Sequence, residues 1–411
     1  MPPSDIPSQL KTHLEPRLPA YLDLLEQMVA INSFTENPAG VNALGRLTAA
    51  AFAELGFTAE TVQAENPAFG EHLILTRPGR TGRKIAFVSH LDTVFPPEEE
   101  AAHHFAWRPE GDRIYGPGTV DIKGGTVMMY MVLDALRTVA PDAFDAVTWV
   151  LLLNAAEERL SNDFGALCRE RLAGDTAACL VFEGGNLNGK TFSLAVTRKG
   201  KADYVVRTFG RGAHAGNNHH QGVNAIVQMA GVIQRIAALT DYRRRLTFNV
   251  GTVRGGTVTN RVPHYAEAHV EMRAFDAGVF EEGVAAMLAL GGEGDVRSAD
   301  GGHPGRVEVE LVSRTPPWPQ NPGTDRLYNV WQQAAQSLGM QTLREHRGGL
   351  SDGNHLWHTV PTLDALGPSG GNAHCSERSA DGSKDQEFVT VSSFVPKAML
   401  NALAVLRLAR G

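Results

Sequence analysis

Short apolar runs alternate with helix-like patterns over much of the chain. Hydrophobic residues dominate these runs, as they do in strands buried on both faces of a sheet; the runs are 72–76, 84–89, 147–153, 177–182 and 361–366. Apolar positions three or four residues apart predict helices at 21–31, 41–55, 123–139 and 389–408. The alternation of the two patterns predicts an α/β fold built on a buried sheet.

The middle of the chain follows a different pattern. Its strand-like and helix-like stretches are, in chain order, 202–209, 223–239, 246–253, 262–273, 279–290 and 306–312. That order, β-α-β-β-α-β, is typical of a ferredoxin-like unit. A chain of 411 residues is long enough for two domains. We therefore predict a mixed-sheet α/β domain formed by 1–198 and 314–411, and an inserted ferredoxin-like α+β domain at 199–313.

Composition and charge indicate a soluble globular protein that does not bind nucleic acid. Hydrophobic residues make up 43% of the chain and charged residues 20%, which is ordinary for a soluble globular protein. The formal net charge of -7 argues against the basic face that nucleic-acid binding requires. We expect no nucleic-acid partner.

The cysteines and the distribution of apolar residues indicate the cellular compartment in which we expect the protein. Cys168, Cys179 and Cys375 are odd in number and widely spaced, so they predict no disulfide framework and favour a reducing compartment. The first 22 residues lack the apolar core of a secretory signal. No stretch approaches the roughly 20 apolar residues of a membrane helix. We expect a cytoplasmic protein without a membrane partner.

Histidine and acidic residues follow the C-terminal ends of four predicted strands. They are His90 and Asp92, Glu157 and Glu158, Glu183, and, after a glycine-rich loop, His374. Ligands of open α/β sheets bind at these ends, so we expect the side chains to converge on one crevice. Each feature alone has a plainer interpretation: a lone histidine is more often structural, and paired glutamates often begin a solvated helix.

Asp121 adds a fifth acidic position. It follows two glycines, Gly116 and Gly118, and precedes a predicted helix. Glycine allows the backbone to approach a crowded centre closely. Two histidines with several carboxylates suit zinc, with cobalt or manganese as weaker candidates.

Three motifs together resemble a known family. They are HLDTVFP at 90–96, GPGTVDIKGG at 116–125 and NAAEE at 154–158. The set, in this order, resembles the co-catalytic zinc peptidases that include bacterial glutamate carboxypeptidase, acetylornithine deacetylase, succinyl-diaminopimelate desuccinylase and aminoacylase. The resemblance spans essentially the whole chain and is greatest to the glutamate carboxypeptidase type. One departure is Ala156, where many relatives carry aspartate before the glutamate pair.

The resemblance implies a role for each motif residue. Asp121 matches the aspartate that bridges two zinc ions. His90 and Glu183 match the other ligands of one ion, and Glu158 and His374 those of the second.

Two further residues match supporting roles around these ligands. Asp92 matches the carboxylate that orients His90, which is how metal-bound histidines are usually fixed. Glu157 matches the general base, and its adjacency to Glu158 suits this, because one carboxylate can bind metal while the other faces the attacking water.

The inserted domain carries three more candidates. The resemblance implies that His214 stabilises the oxyanion, often across a dimer interface, that Asn260 contacts substrate and that Arg273 binds a carboxylate. The domain would then act as a lid and dimerisation domain, and the protein would be a homodimer. Plainer interpretations are glycine-rich turns around His214 and Asn260 and a solvated edge-strand charge at Arg273. Asp352, in a further glycine-rich turn, fits either site support or packing.

The sequence therefore predicts a two-zinc metallohydrolase. We expect it to cleave the amide bond of a small peptide or N-acyl amino acid and to release a C-terminal amino acid such as glutamate. An N-acyl amino acid deacylase and a dipeptidase are the alternatives within this class. A scaffold protein without chemistry is the alternative outside it, and the presence of Glu157 with all five ligand positions argues against that.

Overall fold

The computed structural model describes residues 5–159 and 161–410. The described chain divides into two compact units. The second unit comprises Thr197–Pro319 and Arg347–Leu350, and the first comprises the remainder. The second unit is longer at both ends than the predicted inserted domain 199–313 and also takes in a short return segment.

Several helices of both units begin at a residue whose side chain caps the first turn. Asn37, Asn224, Asp276 and Asn321 each accept a hydrogen bond from a backbone N–H of the first turn that follows. The helices are α1 Ile6–Leu14, α2 Leu18–Val29, α3 Pro38–Ala53, α4 Pro97–Ala102, α5 Gly124–Val139, α6 Pro141–Ala146, α7 Asn162–Arg171, α8 Ala225–Ala238, α9 Ala277–Leu288, α10 Pro322–Ser337 and α11 Phe394–Arg410.

The strands are more numerous than the apolar runs predict, because several are short or exposed. In chain order they are β1 Thr58–Gln63, β2 Glu71–Arg77, β3 Lys84–His90, β4 Arg108–Glu110, β5 Arg113–Tyr115, β6 Thr148–Asn154, β7 Thr176–Val181, β8 Leu187–Asn188, β9 Thr191–Arg198, β10 Gly200–Phe209, β11 Thr247–Gly255, β12 Tyr265–Ala274, β13 Gly292–Arg297, β14 Pro304–Thr315, β15 Gln341–Arg347, β16 Thr362–Leu363, β17 Gly370–Gly371 and β18 Phe388–Thr390.

A mixed sheet forms the centre of the first unit. Among the described residues its strand order is β1-β2-β6-β3-β7-β16. Strand β3 runs parallel to both β6 and β7, and β16 runs parallel to β7, whereas β1 and β2 run antiparallel to their neighbours. Smaller sheets have the orders β17-β18-β5-β4 and β15-β9-β8. The predicted mixed-sheet α/β class is thereby confirmed.

Both faces of the central sheet are buried. Ile85 and Phe87 on β3 join a large cluster that includes the helices α1, α5, α10 and α11, whereas Ala86 and Val88 join a smaller cluster on the other face. Alternate residues of one strand therefore contribute to two cores, which explains why the run is apolar without a gap.

The second unit contains a five-stranded antiparallel sheet of order β11-β12-β10-β14-β13, with its own core that includes Met229 and Phe280. The first four strands with α8 and α9 form the predicted ferredoxin-like unit. Strand β13 was not predicted, because its sequence, GEGDVR, contains two glycines and no apolar alternation.

The closing helix begins later than predicted. Residues 388–390 form strand β18 and α11 begins at Phe394. An apolar run by itself does not distinguish the end of a strand from the start of a helix. The segment Val391–Arg410 is also long and apolar enough to cross a membrane, contrary to the expectation that none is, but 67% of its apolar window is buried within the fold.

Asn401 ties α11 to two neighbouring elements. It is fully buried, accepts a hydrogen bond from Nε1 of Trp331 on α10 at 2.9 Å, and donates one to the carbonyl oxygen of Leu366 at 2.8 Å. Replacement by an apolar side chain would leave both partner groups buried and unpaired.

We therefore predict that Asn401→Leu lowers the free energy of unfolding by about 2–4 kcal/mol, since each orphaned group costs about 1–3 kcal/mol. Urea denaturation of the variant measures the loss. Arg410→Ala, at an exposed position of the same helix, is the control and is expected to change stability by less than about 0.5 kcal/mol. Equal denaturation midpoints for the two variants would contradict the prediction.

Candidate metal centre

Parallel strands bring the predicted residues to one edge of the central sheet. His90 ends β3, Glu157 and Glu158 lie in the turn after β6, and Glu183 follows β7. Because these three strands are neighbours and parallel, their C-terminal ends lie side by side. The predicted convergence of these four residues is therefore observed.

Asp121 reaches the same place from an irregular turn, Thr119–Lys123, which precedes α5. The helix starts close against the end of β7: a Cβ atom on Gly125 would lie 2.0 Å from the carbonyl oxygen of Phe182. Glycine at this position allows the close approach that sets Asp121 beside Glu183.

The two carboxylate oxygens of Asp121 face different histidines. Oδ1 lies 3.0 Å from Nε2 of His90, and Oδ2 lies 3.3 Å from Nε2 of His374. His374 comes from a loop, where its backbone has a φ of 66°, and its side chain is 53% exposed.

Two sets of possible metal ligands share Asp121. One is His90, Asp121 and Glu183, and the other is Asp121, Glu158 and His374; within each, one donor atom per residue lies within 4.8 Å of the others. Glu157 with His90 and Glu158 forms a third group of the same kind. Nε2 of His90 lies 3.8 Å from Oε1 of Glu183.

The arrangement fits bound metal ions. Among the described residues, Oε1 of Glu158 is buried without a hydrogen-bond partner, although Nε2 of His374 lies 3.3 Å away. An unpaired buried carboxylate oxygen is costly unless it binds a cation. Imidazole nitrogens and carboxylate oxygens at these spacings are the donors that zinc and similar divalent ions prefer.

The pKa directions indicate an excess of negative charge. Burial raises the pKa of Glu157 well above its ordinary value despite His90, and Glu158, Asp352 and Glu183 add to the effect. Burial and then Asp121 raise the pKa of Glu158. The carboxylates of Asp121 and Glu158 raise the pKa of His374 to about 11. A divalent cation between these groups would relieve the repulsion.

Asp92 contacts both His90 and the turn that carries Glu157 and Glu158, which we call the glutamate turn. Its Oδ1 and Oδ2 accept the backbone N–H groups of Glu157 and Glu158 at 3.0 and 3.2 Å, and Thr35 donates to Oδ2 at 2.7 Å. Nδ1 of His90 lies 3.0 Å from the carbonyl oxygen of Asp92 and 3.3 Å from Oδ1. The nearer contact of the histidine is therefore the backbone, whereas the carboxylate mainly fixes the turn.

Glu387 also belongs to this site, although the sequence patterns do not indicate it. It is fully buried, and its Oε1 accepts the backbone N–H groups of Val120 and Asp121 at 2.9 and 3.1 Å. Burial raises its pKa to about 8. It lies outside all three motifs, and no local pattern distinguishes it from other loop glutamates.

Asn154 and Asp352 support the glutamate turn from within the core. Oδ1 of Asn154 accepts hydrogen bonds from Ala156 N–H at 3.0 Å and from the Ser161 hydroxyl at 2.7 Å, and its Nδ2 donates to Asp352 at 2.9 Å. Burial raises the pKa of Asp352 to about 7. Of the two interpretations of Asp352, support of the site and packing, the contacts favour support.

His214 and Asn260 belong to the second unit and lie in neighbouring turns. Ala215 donates its N–H to the carbonyl oxygen of Asn260 at 2.9 Å. Nδ1 of the exposed His214 accepts the N–H groups of Gly216 and Asn217, both at 3.1 Å. Its proton therefore resides on Nε2, which can act as a donor.

Arg273, also in the second unit, is already engaged. Its Nε and one terminal nitrogen contact Glu271 at 2.7 and 3.1 Å, and the other donates to the carbonyl oxygen of Gly348 at 2.8 Å. Because the guanidinium donates to Glu271, an incoming carboxylate would have to compete with that pair.

Comparison with known proteins places this arrangement in a family. Residues 86–400 match the sequence model of peptidase family M20/M25/M40. The chain is 26% identical over 398 residues to Carboxypeptidase G2 of Pseudomonas sp. (strain RS-16), covering 96% of this chain and 90% of that protein. It is 27% identical over 278 residues to acetylornithine deacetylase of Salmonella arizonae, covering 62% and 68% respectively.

A solved structure agrees at the level of the fold. The Bacillus subtilis protein YXEP, described as a dinuclear metal binding peptidase from the M20 family, superposes with a TM-score of 0.63 at 15% identity, covering 95% of this chain and 98% of that one. The resemblance inferred from the three motifs is confirmed. With the family model matching most of its length, the chain belongs to peptidase family M20/M25/M40.

Proposed function

We propose that the protein is a two-zinc carboxypeptidase that hydrolyses the amide bond of a small peptide or N-acyl amino acid and releases a C-terminal amino acid such as glutamate. The observation that carries the proposal is the position of Asp121, whose two oxygens face two separate sets of ligands. Membership of a peptidase family supports hydrolysis of an amide bond.

In this proposal, His90, Asp121 and Glu183 hold one ion, and Asp121, Glu158 and His374 hold the other. The dinuclear description of the Bacillus subtilis structure supports two ions. Bound zinc would supply Lewis acidity toward the scissile carbonyl oxygen and would favour ionisation of water. Cobalt or manganese could replace zinc at donors of this kind.

Glu157 is the proposed general base. It lies beside Glu158 in a turn whose backbone N–H groups donate hydrogen bonds to Asp92. These hydrogen bonds fix the backbone from which the Glu157 side chain extends. A carboxylate here accepts a proton from the attacking water and passes it to the nitrogen of the leaving amine. Burial raises its pKa above the ordinary value, which makes the carboxylate a stronger base than a solvated glutamate.

The choice of carboxypeptidase rests on the relative that matches over nearly the full chain, Carboxypeptidase G2. Arg273 supports a substrate with a free carboxylate, which its guanidinium would bind after exchange with Glu271. The similarity to acetylornithine deacetylase favours a second candidate, an N-acyl amino acid deacylase. Both activities use the same metal centre and differ in the groups on either side of the bond.

A substrate panel tests the activity. We expect the zinc-loaded protein to cleave acyl and peptidyl derivatives of glutamate faster than those of aspartate or of neutral amino acids, as measured by kcat/KM. Glu157→Gln keeps the shape of the side chain and is expected to lower kcat at least about 100-fold, because it removes the base.

Glu54→Gln, an exposed position on α3's C-terminal side, is the control and should leave kcat unchanged. Faster release of an acyl group from acetylated amino acids than of any C-terminal residue would favour the deacylase. Near-normal turnover by Glu157→Gln would reject the proposed mechanism.

Metal content tests the assignment of ligands. We expect about two zinc ions per chain in the wild type and loss of activity after chelation. Because Asp121 is common to both sets, Asp121→Asn should lose both ions, whereas Glu183→Gln should lose about one. Elemental analysis of the dialysed proteins gives these ratios, and equal losses in the two variants would contradict the assignment.

We further propose that the protein acts as a homodimer, with the second unit as a lid and dimerisation domain and His214 supplied to the partner's site. The second unit carries exposed apolar side chains on and beside α8 and β11, namely Ile226, Val227, Val253 and Val258. Strand β11 is an edge strand, and an exposed apolar edge suits pairing with a second copy.

Mixing two inactive variants tests this arrangement. His214→Ala is expected to lower kcat about 100-fold through loss of an oxyanion donor. After subunit exchange with Glu157→Gln, mixed dimers would contain one complete site, and activity should recover to roughly a quarter of the wild-type level for random pairing in a two-fold dimer. A monomeric active enzyme in analytical ultracentrifugation, or a mixture that stays inactive, would reject donation across the interface.

The proposed location is the cytoplasm. Cys168 and Cys179 are buried and, like Cys375, free thiols. Free thiols are usual in reducing compartments. No nucleic-acid or membrane partner forms part of the proposal; the substrate is a small molecule.

A further inference from the structure

In the turn that carries Glu157 and Glu158, each backbone N–H from Ala155 to Glu158 donates a hydrogen bond to a side chain. Ala156 donates to Asn154, and Glu157 and Glu158 donate to Asp92. The remaining group, the N–H of Ala155, donates to Nδ1 of His72 at 3.1 Å. The other two acceptor residues, Asn154 and Asp92, lie within the motifs, whereas His72 comes from β2, which pairs with β6 on the side opposite β3.

The side chain of His72 supplies a hydrogen bond just beyond the point where the backbone pairing of β2 and β6 ends. Strands β2 and β6 pair from Arg77 with Trp149 to Leu73 with Leu153 and no further. Ala155 is fully buried, so its N–H lies beyond the last backbone partner and away from water. The imidazole, itself 1% exposed, supplies the acceptor.

The peptide group between Asn154 and Ala155 is thereby fixed from both sides. Its carbonyl oxygen accepts the N–H of Leu91 at 2.7 Å, and its N–H donates to His72. Leu91 lies between His90 and Asp92. The two hydrogen bonds together fix the start of the glutamate turn between β2, which carries His72, and the segment that carries His90.

Asp163 determines which nitrogen of His72 is free to accept. Nε2 of His72 lies 3.1 Å from Oδ2 of Asp163, which also accepts the N–H of Glu65 at 2.7 Å. Burial opposes ionisation of Asp163, but these hydrogen bonds lower its pKa to about 2, so it is a carboxylate at neutral pH. A carboxylate here requires the proton on Nε2, which leaves Nδ1 as an acceptor.

We propose that His72, held by Asp163, is a positioning residue that sets the glutamate turn for metal binding and proton transfer. This inference rests on the proposed function for its effect on turnover, although not for its effect on the turn. Residues that orient metal ligands through hydrogen bonds typically change metal affinity or activity by about 10–100-fold when they are replaced.

Two amide variants separate the acceptor from the donor. In His72→Asn the amide oxygen can take the position of Nδ1 and accept the N–H of Ala155. In His72→Gln the amide takes the position of Nε2, which keeps the link to Asp163 but not the acceptor. His13→Gln is the matched control, because His13 is also buried and also contacts an aspartate, Asp134 at 2.8 Å.

Hydrogen–deuterium exchange of the metal-free protein reads the hydrogen bond directly. We expect the peptide that covers 154–158 to exchange at wild-type rates in His72→Asn and His13→Gln, and about tenfold faster or more in His72→Gln. Zinc affinity, measured by competition with a chelating dye, should fall about 10–100-fold in His72→Gln and by less than about threefold in His72→Asn.

Activity is the third readout. In the zinc-saturated enzyme, His72→Gln should lower kcat with little change in KM, and His72→Asn should restore it. If no substrate in the panel is cleaved by the wild type, the proposed function fails, while exchange and zinc affinity still decide the role of His72. Equal exchange and equal zinc affinity in His72→Asn and His72→Gln would overturn the proposal.

Discussion

The site depends on the parallel register of β3 between β6 and β7. That register sets His90 level with Asn154 and brings the turn after β6 and the residue after β7 to the same edge. Burial on both faces fixes it, because a slip by one residue would exchange the two cores that alternate along β3. Hydrophobic packing thus brings together carboxylates that repel one another.

Backbone hydrogen bonds complete what the register begins. The turn after β6 contains only one short helical turn, Glu157–Arg159. Side chains accept the N–H groups of four successive residues, from Ala155 to Glu158. Asp92 and Glu387 act alike, because each has a carboxylate that accepts two successive backbone N–H groups, those of Glu157 and Glu158 or those of Val120 and Asp121. Such contacts replace solvent around the buried backbone and leave the ligand side chains free to face the metal site.

The sequence predicts which candidate ligands converge, because most of them follow apolar runs that indicate buried strands. The sequence predicts the supporting residues, such as Glu387 and Asn154, poorly. Their side chains accept hydrogen bonds from backbone N–H groups, which every residue except proline possesses, so no residue type marks the partner. Asp352 illustrates the difference: its glycine-rich turn is visible in the sequence, but its partner Asn154 lies nearly 200 residues away and no sequence period connects the two.

Secondary structure shows the same limit. Among the described residues, five of the six strands of the central sheet coincide with apolar runs in the sequence, because burial on both faces makes them apolar. Strand β1 coincides with none, because its side chains are mostly exposed. Strand β13 lies exposed at a sheet edge and shows no apolar pattern, and the three residues of β18 are too few to show a period that distinguishes them from the predicted helix. Chemistry near the motifs is therefore more predictable than the architecture that holds it.

The crowding of carboxylates around Asp121 has a thermodynamic consequence. Ions that bind the assembled site and not the unfolded chain stabilise the fold by mass action, by about 2.7 kcal/mol when a free ion is at 100 times its dissociation constant. Without ions, the burial and the repulsion from Asp121 that together raise the pKa of Glu158 also weaken the native state. For a chain that binds such ions, the free energy of unfolding would rise with the free metal concentration around it.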